Sequence, residues 1–223
     1  MTPRRKVSFD PIARPYRWLE YLSLGPALMR CRCHFLPHLR HARRALVLGD
    51  GDGRFLSRLL RANPRLTATA LDSSVSMLHL LQARCRFSTR LSLVHTDALG
   101  YQPSTDFDLV VTHFFLDCFP QPEVERLIAQ VRPALQNGGL WLLSEFRIPN
   151  GPLRPLAQLG IRGLYLAFRL LTGLRTSHLP QYADALQRAG LRCIARHDSL
   201  AGLLTTQLWQ SPGPVGVSKS VSD

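Results

Sequence analysis

From Arg44 onward, short apolar runs alternate with longer runs of helical period. Residues 44–49 (RALVLG) read as a strand, and residues 54–62 (RFLSRLLRA) space their leucines as a helix does. The same alternation repeats with LTATALD then SVSMLHLLQARCR, with LSLVHTD, and with FDLVVTHFF then PEVERLIAQVRPALQ and GGLWLLSEF. Upstream, Tyr16 to Arg44 reads as one or two helices broken near Gly25-Pro26. Beyond Phe146 the rhythm changes. Pro149 to Pro152 is a turn, Leu156 to Leu174 an apolar helix interrupted by Arg162 and Arg169, and LPQYADALQRAG a helix stopped at Gly190. Two further strand-like runs, LRCIARHDSL and LLTTQLWQ, close the pattern. Strands alternating with helices predict an α/β fold, a parallel sheet covered on both faces.

The first strand runs into GDGDG, Gly49 to Gly53. A strand, a glycine loop and a helix together aim backbone N–H groups at a ligand beyond the strand's C-terminal end. The dinucleotide fingerprint Gly-x-Gly-x-x-Gly fails here: counted from Gly49 the third glycine falls on Arg54, and counted from Gly51 on Leu56. The loop also lacks the Gly-Lys-Ser/Thr of a P-loop. Asp50 and Asp52 would repel a pyrophosphate and attract a cation. S-adenosylmethionine, with a sulfonium, an ammonium and no phosphate, suits that charge. The competing reading has Asp52 capping the next helix and Asp50 facing solvent. Asp72 ends the second strand 19 residues after Gly53, where a carboxylate accepts ribose hydroxyls, and Asp97 ends the third, placed for an adenine amino group.

The chain of 223 residues carries 28 Lys+Arg against 15 Asp+Glu, a formal charge of +13. That excess favours anionic partners: an acidic substrate, an anionic lipid surface or nucleic acid. The basic residues are spread along the chain, and no added RNA-binding module is visible. This disfavours nucleic acid and leaves an RNA methyltransferase as an alternative. Five widely spaced cysteines and a basic start with no apolar segment behind it lead us to expect reduced thiols and a cytoplasmic setting. His34, His38 and His41 fall at helical spacing, but Pro37 interrupts the register and no metal is expected there.

The motifs resemble those of class I S-adenosylmethionine-dependent methyltransferases over most of the chain, from about Phe9 to Trp209. VLGDGDGRF resembles their first motif, ALDSSVSML their second, and VRPALQNGGLWLLSEF the run before their fifth strand. FDPIARPY (Phe9 to Tyr16) and LPQYADALQRAG resemble segments of the ubiquinone/menaquinone C-methyltransferase branch. The resemblance implies a Rossmann-like seven-stranded methyltransferase sheet with helices on both faces, an N-terminal helical lid, and a cap inserted between strands 5 and 6. It divides the chain into an arm and lid (1–44), a cofactor-binding core (45–148), a cap (149–180), a C-terminal helix with closing strands (181–210) and a disordered tail (211–223). It also implies S-adenosyl-L-methionine as cofactor, with Gly49, Asp50, Gly51, Asp52, Gly53, Asp72, Ser73, Met77, Asp97, Ala98 and a lid tyrosine, Tyr16, around it. Val47 stands where the family commonly has an acidic residue. That departure keeps a non-catalytic cofactor-binding scaffold in play.

Methyl transfer from a sulfonium needs an aligned nucleophile and exclusion of water, plus a base when the nucleophile starts protonated. His113 lies at the end of the fourth strand, with Asp117 four residues on. On a helical turn they would share a face, with Asp117 orienting the imidazole as base for a phenol, enol or quinol. The alternative has His113 packing beside the adenine and Asp117 capping. Phe114, Phe115 and Phe119 would wall an apolar pocket for a small aromatic or lipophilic acceptor. The arginines of the 156–174 helix suggest a peripheral contact with an anionic membrane, against the plainer reading of a solvated stripe on a lid. The absence of an NPPY-type motif disfavours amino-group methylation.

Overall fold

A computed structural model describes residues 26–86, 88–103, 106–149, 154–155, 158–160, 163 and 179–213. Along these the chain forms α1 (Pro26–Cys33), β1 (Arg44–Leu48), α2 (Arg54–Ala62), β2 (Thr67–Asp72), α3 (Val75–Arg84), β3 (Leu91–His95), β4 (Phe107–His113), α4 (Gln121–Val131), β5 (Leu135–Phe146), α5 (Tyr182–Arg188), β6 (Arg192–Ser199) and β7 (Leu204–Gln210), joined in part by short 3-10 turns. Tyr16, the tail beyond residue 213 and most of the cap, with Arg162 and Arg169, lie outside the described residues.

β1 buries every residue after Arg44, and its side chains divide between two cores. Leu46 and Leu48 join the apolar residues of α4 and α5 on one face. Ala45 and Val47 join Phe55, Leu56, Leu59 and Leu60 of α2 on the other. Strict alternation of facing residues inside a wholly apolar strand is the mark of a sheet covered on both sides.

The seven strands order as β3-β2-β1-β4-β5-β7-β6. β1 to β5 pair in parallel, and β7 runs antiparallel between β5 and β6. The chain leaves β1 toward β2 and β3, then returns to place β4 on β1's other side. The strand order therefore switches between β1 and β4, and open α/β sheets bind ligands outside the carboxyl ends of strands at such a point.

Two element boundaries differ from the sequence expectation, both at prolines. The fourth helix ends at Val131 and passes into a 3-10 turn, Arg132–Ala134, because Pro133 has no N–H to continue it. Pro37 likewise lies in a 3-10 turn, Leu36–Leu39, after α1. That turn is fastened from below: Asn63 Nδ2 donates to the carbonyls of Leu39 (3.0 Å) and Ala42 (2.7 Å) at the end of α2.

Candidate active site

The loop after β1 is glycine-rich for conformational reasons. Gly49, Gly51 and Gly53 all lie in the left-handed region, at φ 64°, 60° and 76°. L-residues enter that region at a cost of about 1–2 kcal/mol. Space is short as well. A Cβ on Gly49 would stand 2.2 Å from Phe115 Cδ2, and one on Gly53 would stand 2.8 Å from Leu81 Cγ.

The two aspartates of the loop divide their work in a way the sequence did not indicate. Asp50 is buried, and its Oδ2 accepts from Leu56 N (3.0 Å) in the first turn of α2. Asp52 is also buried, between Arg54 Nε (2.9 Å) and Arg84 Nη2 (2.9 Å), and Arg84 Nε donates to its carbonyl (2.8 Å). Neither half of the competing sequence reading holds. Asp50 ties down the helix start, and Asp52 is engaged by two arginines of the fold rather than by a helix cap.

The remaining cofactor-motif residues gather at the carboxyl edge of β1, β2 and β3. Asp72 closes β2 half-buried, with Oδ1 accepting from Ser74 N (2.9 Å). Ser73 is exposed, and its carbonyl contacts His95 Nε2 at 3.1 Å. Met77 is buried in α3, which Ser74 caps by accepting from Met77 N (3.2 Å). Asp72 pairs with His95, which brings Asp97 onto the same edge two residues later. Asp97 is exposed and accepts from Leu99 N (2.9 Å), with Ala98 buried beside it. Val47 is 1% exposed in the apolar cluster of α2, so it offers no charge to a ligand.

The second half of the site is the segment after β4. His113, the last residue of β4, pairs in register with Ser144 of β5. Its Nδ1 lies 2.9 Å from Ser144 Oγ, and its ring stands edge-on to Phe55, centroids 4.3 Å apart. Burial pushes its pKa well below the usual 6.5, and the nearby Arg32 guanidinium adds to this. Nε2 is buried with no hydrogen-bond partner among the described residues. Phe114 follows at φ 51°, a left-handed turn that ends the strand abruptly. No helical turn therefore runs from His113 to Asp117. The orienting partner of His113 is Ser144 and not Asp117, a correction to the expected pair. Asp117 instead sits buried in a 3-10 turn, Leu116–Cys118, with its Oδ1 3.6 Å from Cys118 Sγ.

One anchor of this segment went unnoticed in the sequence. Glu145, fully buried on β5, accepts through Oε1 from Phe115 N (3.3 Å) and Leu116 N (3.0 Å). Burial raises its pKa well above the usual value, and the neighbouring Asp117 carboxyl raises it further. Cys118 is pushed up by the same burial and by Asp117. The available signal was a polar pair, Ser144-Glu145, interrupting the apolar run LWLL…F. The anchored segment carries Phe115 against Phe119 (centroids 5.1 Å) and Phe114 against Phe146 (4.9 Å). The Arg32 guanidinium lies 5.2 Å from the Phe114 ring.

These residues fit S-adenosylmethionine. The loop has the backbone of a cradle that a Cβ would obstruct, carboxylates close the next two strands, and the walls at Met77 and Ala98 are apolar. Residues 46–141 match the family profile described as Methyltransferase domain. Demethylspheroidene O-methyltransferase of Rhodobacter capsulatus is 26% identical over 171 residues, 77% of this chain and 42% of that one. The present chain therefore spans less than half of that relative. Among solved structures, the mitomycin 7-O-methyltransferase MmcR superposes with a TM-score of 0.70 at 18% identity, covering 92% of this chain and 60% of its own. The N-methyltransferase NodS of Bradyrhizobium japonicum WM9, in complex with S-adenosyl-L-homocysteine, gives a TM-score of 0.59 at 15% identity, covering 91% and 89%.

Proposed function

We propose that this chain, which carries a methyltransferase domain of the class I S-adenosylmethionine-dependent fold over residues 46–141, methylates an oxygen of a small aromatic or lipophilic acceptor. The observation that carries the reading is one juxtaposition. Phe115, on the segment that leads from His113 to α4, lies directly over Gly49 of the glycine loop, so cofactor cradle and acceptor wall are a single surface. The O-methyltransferases among the relatives favour oxygen over carbon.

When bound, S-adenosylmethionine supplies an electrophilic methyl group on a sulfonium leaving group. The chain supplies position, dryness and a proton acceptor. Asp72 and Asp97 would accept from the cofactor's ribose hydroxyls and adenine amino group, and the glycine loop would turn its backbone N–H groups to the ligand at the start of α2. Phe114, Phe115 and Phe119 keep water from the acceptor, and Glu145 holds Phe115 and the following residue by their backbone amides. His113, neutral at physiological pH because of its burial, takes the acceptor's proton at Nε2.

Calorimetry with S-adenosyl-L-homocysteine, followed by turnover on a panel of phenols, enols and quinols, tests this. We expect micromolar or tighter binding, and S-adenosyl-L-homocysteine formed from S-adenosylmethionine with at least one hydroxylated aromatic. Absence of binding would remove the cofactor assignment. Binding without product across the panel would favour the scaffold reading.

A further inference from the structure

Three buried side chains on adjacent strands form a hydrogen-bond chain whose direction can be worked out. His113, Ser144 and Thr206 come from β4, β5 and β7, and are 3%, 0% and 0% exposed. Thr206 Oγ1 lies 3.0 Å from the carbonyl oxygen of Leu143. A carbonyl only accepts, so the single proton of Thr206 is committed to it. Ser144 Oγ lies 3.1 Å from Thr206 Oγ1. The proton between these two hydroxyls must then come from Ser144, which spends the only one it has. The contact of 2.9 Å between Ser144 Oγ and His113 Nδ1 is left with one possible donor, the imidazole N–H. Cys31 also lies against Ser144, and a serine proton turned toward that sulfur would equally be unavailable to Nδ1.

We propose that Thr206 and Ser144 hold His113 in the Nδ1–H tautomer, so that Nε2 offers its lone pair to the O–H of an acceptor that arrives protonated. For the identity of that O–H, the inference rests on the methyl-transfer reading given above. Nε2 is the buried ring nitrogen with no partner among the described residues, so it is the atom whose hydrogen-bonding capacity an incoming hydroxyl would satisfy. In the opposite tautomer, Nε2 would carry a proton and could not take another. The proton balance is local. The acceptor's proton passes to Nε2, the O–H electron pair stays on the acceptor oxygen, and the imidazolium keeps its Nδ1–H on Ser144. The acceptor class that follows is a weakly acidic hydroxyl, a phenol or an enol, rather than one already ionised in water. Ser144 and Thr206 are positioning residues, since they act through His113.

Nitrogen-15 NMR of the histidine rings in the full chain tests this without cofactor or acceptor, because the two tautomers differ in which nitrogen carries the proton. The His113 signal is assigned by its loss in H113Q. We expect wild type to show a protonated Nδ1 and a bare Nε2. T206V preserves shape but releases the Ser144 proton to point at Nδ1, and should bring up the Nε2–H form, whereas T206S should keep the wild-type pattern. In turnover, T206V should lose about 10- to 100-fold in kcat, part of the 10²–10⁴ range of a general base. Wild type in the Nε2–H form overturns the proposal, even if T206V does not fold. So does a folded T206V with an unchanged tautomer. If the spectra agree and no acceptor turns over, the methyl-transfer reading fails instead, and the tautomer assignment stands.

Discussion

Gly49→Ala probes the contact that joins the two halves of the site. Two costs are expected. Placing an L-residue at φ 64° costs about 1–2 kcal/mol. The new Cβ, 2.2 Å from Phe115 Cδ2, must also push that ring aside. The displaced ring would forfeit its edge-to-face pair with Phe119, about 0.5–1.5 kcal/mol. The sum is about 1.5–3.5 kcal/mol. Gly138→Ala provides the control: its φ of 75° carries the same conformational strain, but a Cβ there meets nothing within 4 Å. Urea denaturation should therefore rank G49A below G138A by about 1 kcal/mol. In an F115A background the G49A penalty should shrink toward that of G138A, since the two residues are in contact and their effects should not add. Calorimetry with S-adenosyl-L-homocysteine should show G49A weakened by about tenfold or more, and G138A unchanged, a tenfold loss being about 1.4 kcal/mol. Equal destabilisation by the two alanines would refute the claimed contact with Phe115. Unchanged affinity in G49A would refute the loop as the cofactor cradle.

Three other measurements bear on the site. His113 is held neutral in the fold, while the unfolded imidazole takes up a proton near pH 6.5. Below that pH the unfolded state binds the extra proton, so stability should fall with pH, approaching about 1.4 kcal/mol per pH unit, and H113N should flatten the decline. Glu145 has the opposite sign: its raised pKa gives stability that is full in acid and lost as pH rises through the folded-state value, and E145Q should abolish that loss. E145L should cost about 2–4 kcal/mol in urea, because it leaves the Phe115 and Leu116 amides unpaired, and E145Q should cost less than half as much. Finally, D52N should leave S-adenosyl-L-homocysteine affinity within about threefold, because Asp52 is engaged by Arg54 and Arg84, whereas D72A should lose about tenfold or more, the worth of a hydrogen bond to a charged group.

The order of strands and helices among the described residues, the glycine loop and the two strand-end aspartates were legible in the sequence. These features are local. The wholly apolar run before GDGDG, the helical spacing after it and the acidic residues at Asp72 and Asp97 each depend on neighbours a few positions away. Once the α/β alternation is recognised, the parallel topology carries those strand ends to one edge.

Which partner each polar side chain takes was decided only by the tertiary structure. Asp50 and Asp52 are two residues apart and look equivalent in GDGDG, yet one reaches forward to Leu56 N and the other is held by Arg84, 32 residues away on α3. The spacing of His113 and Asp117 suggested a helical pair, but a left-handed Phe114 breaks the turn between them. Strand register then places Ser144, 31 residues on, beside the imidazole. Glu145 reaches Phe115 and Leu116 by the same register. Local pattern determines where a chain is strand or helix, because that depends on period and propensity. A buried hydrogen bond is settled by which strands lie side by side and in what register, and no short stretch of sequence contains that.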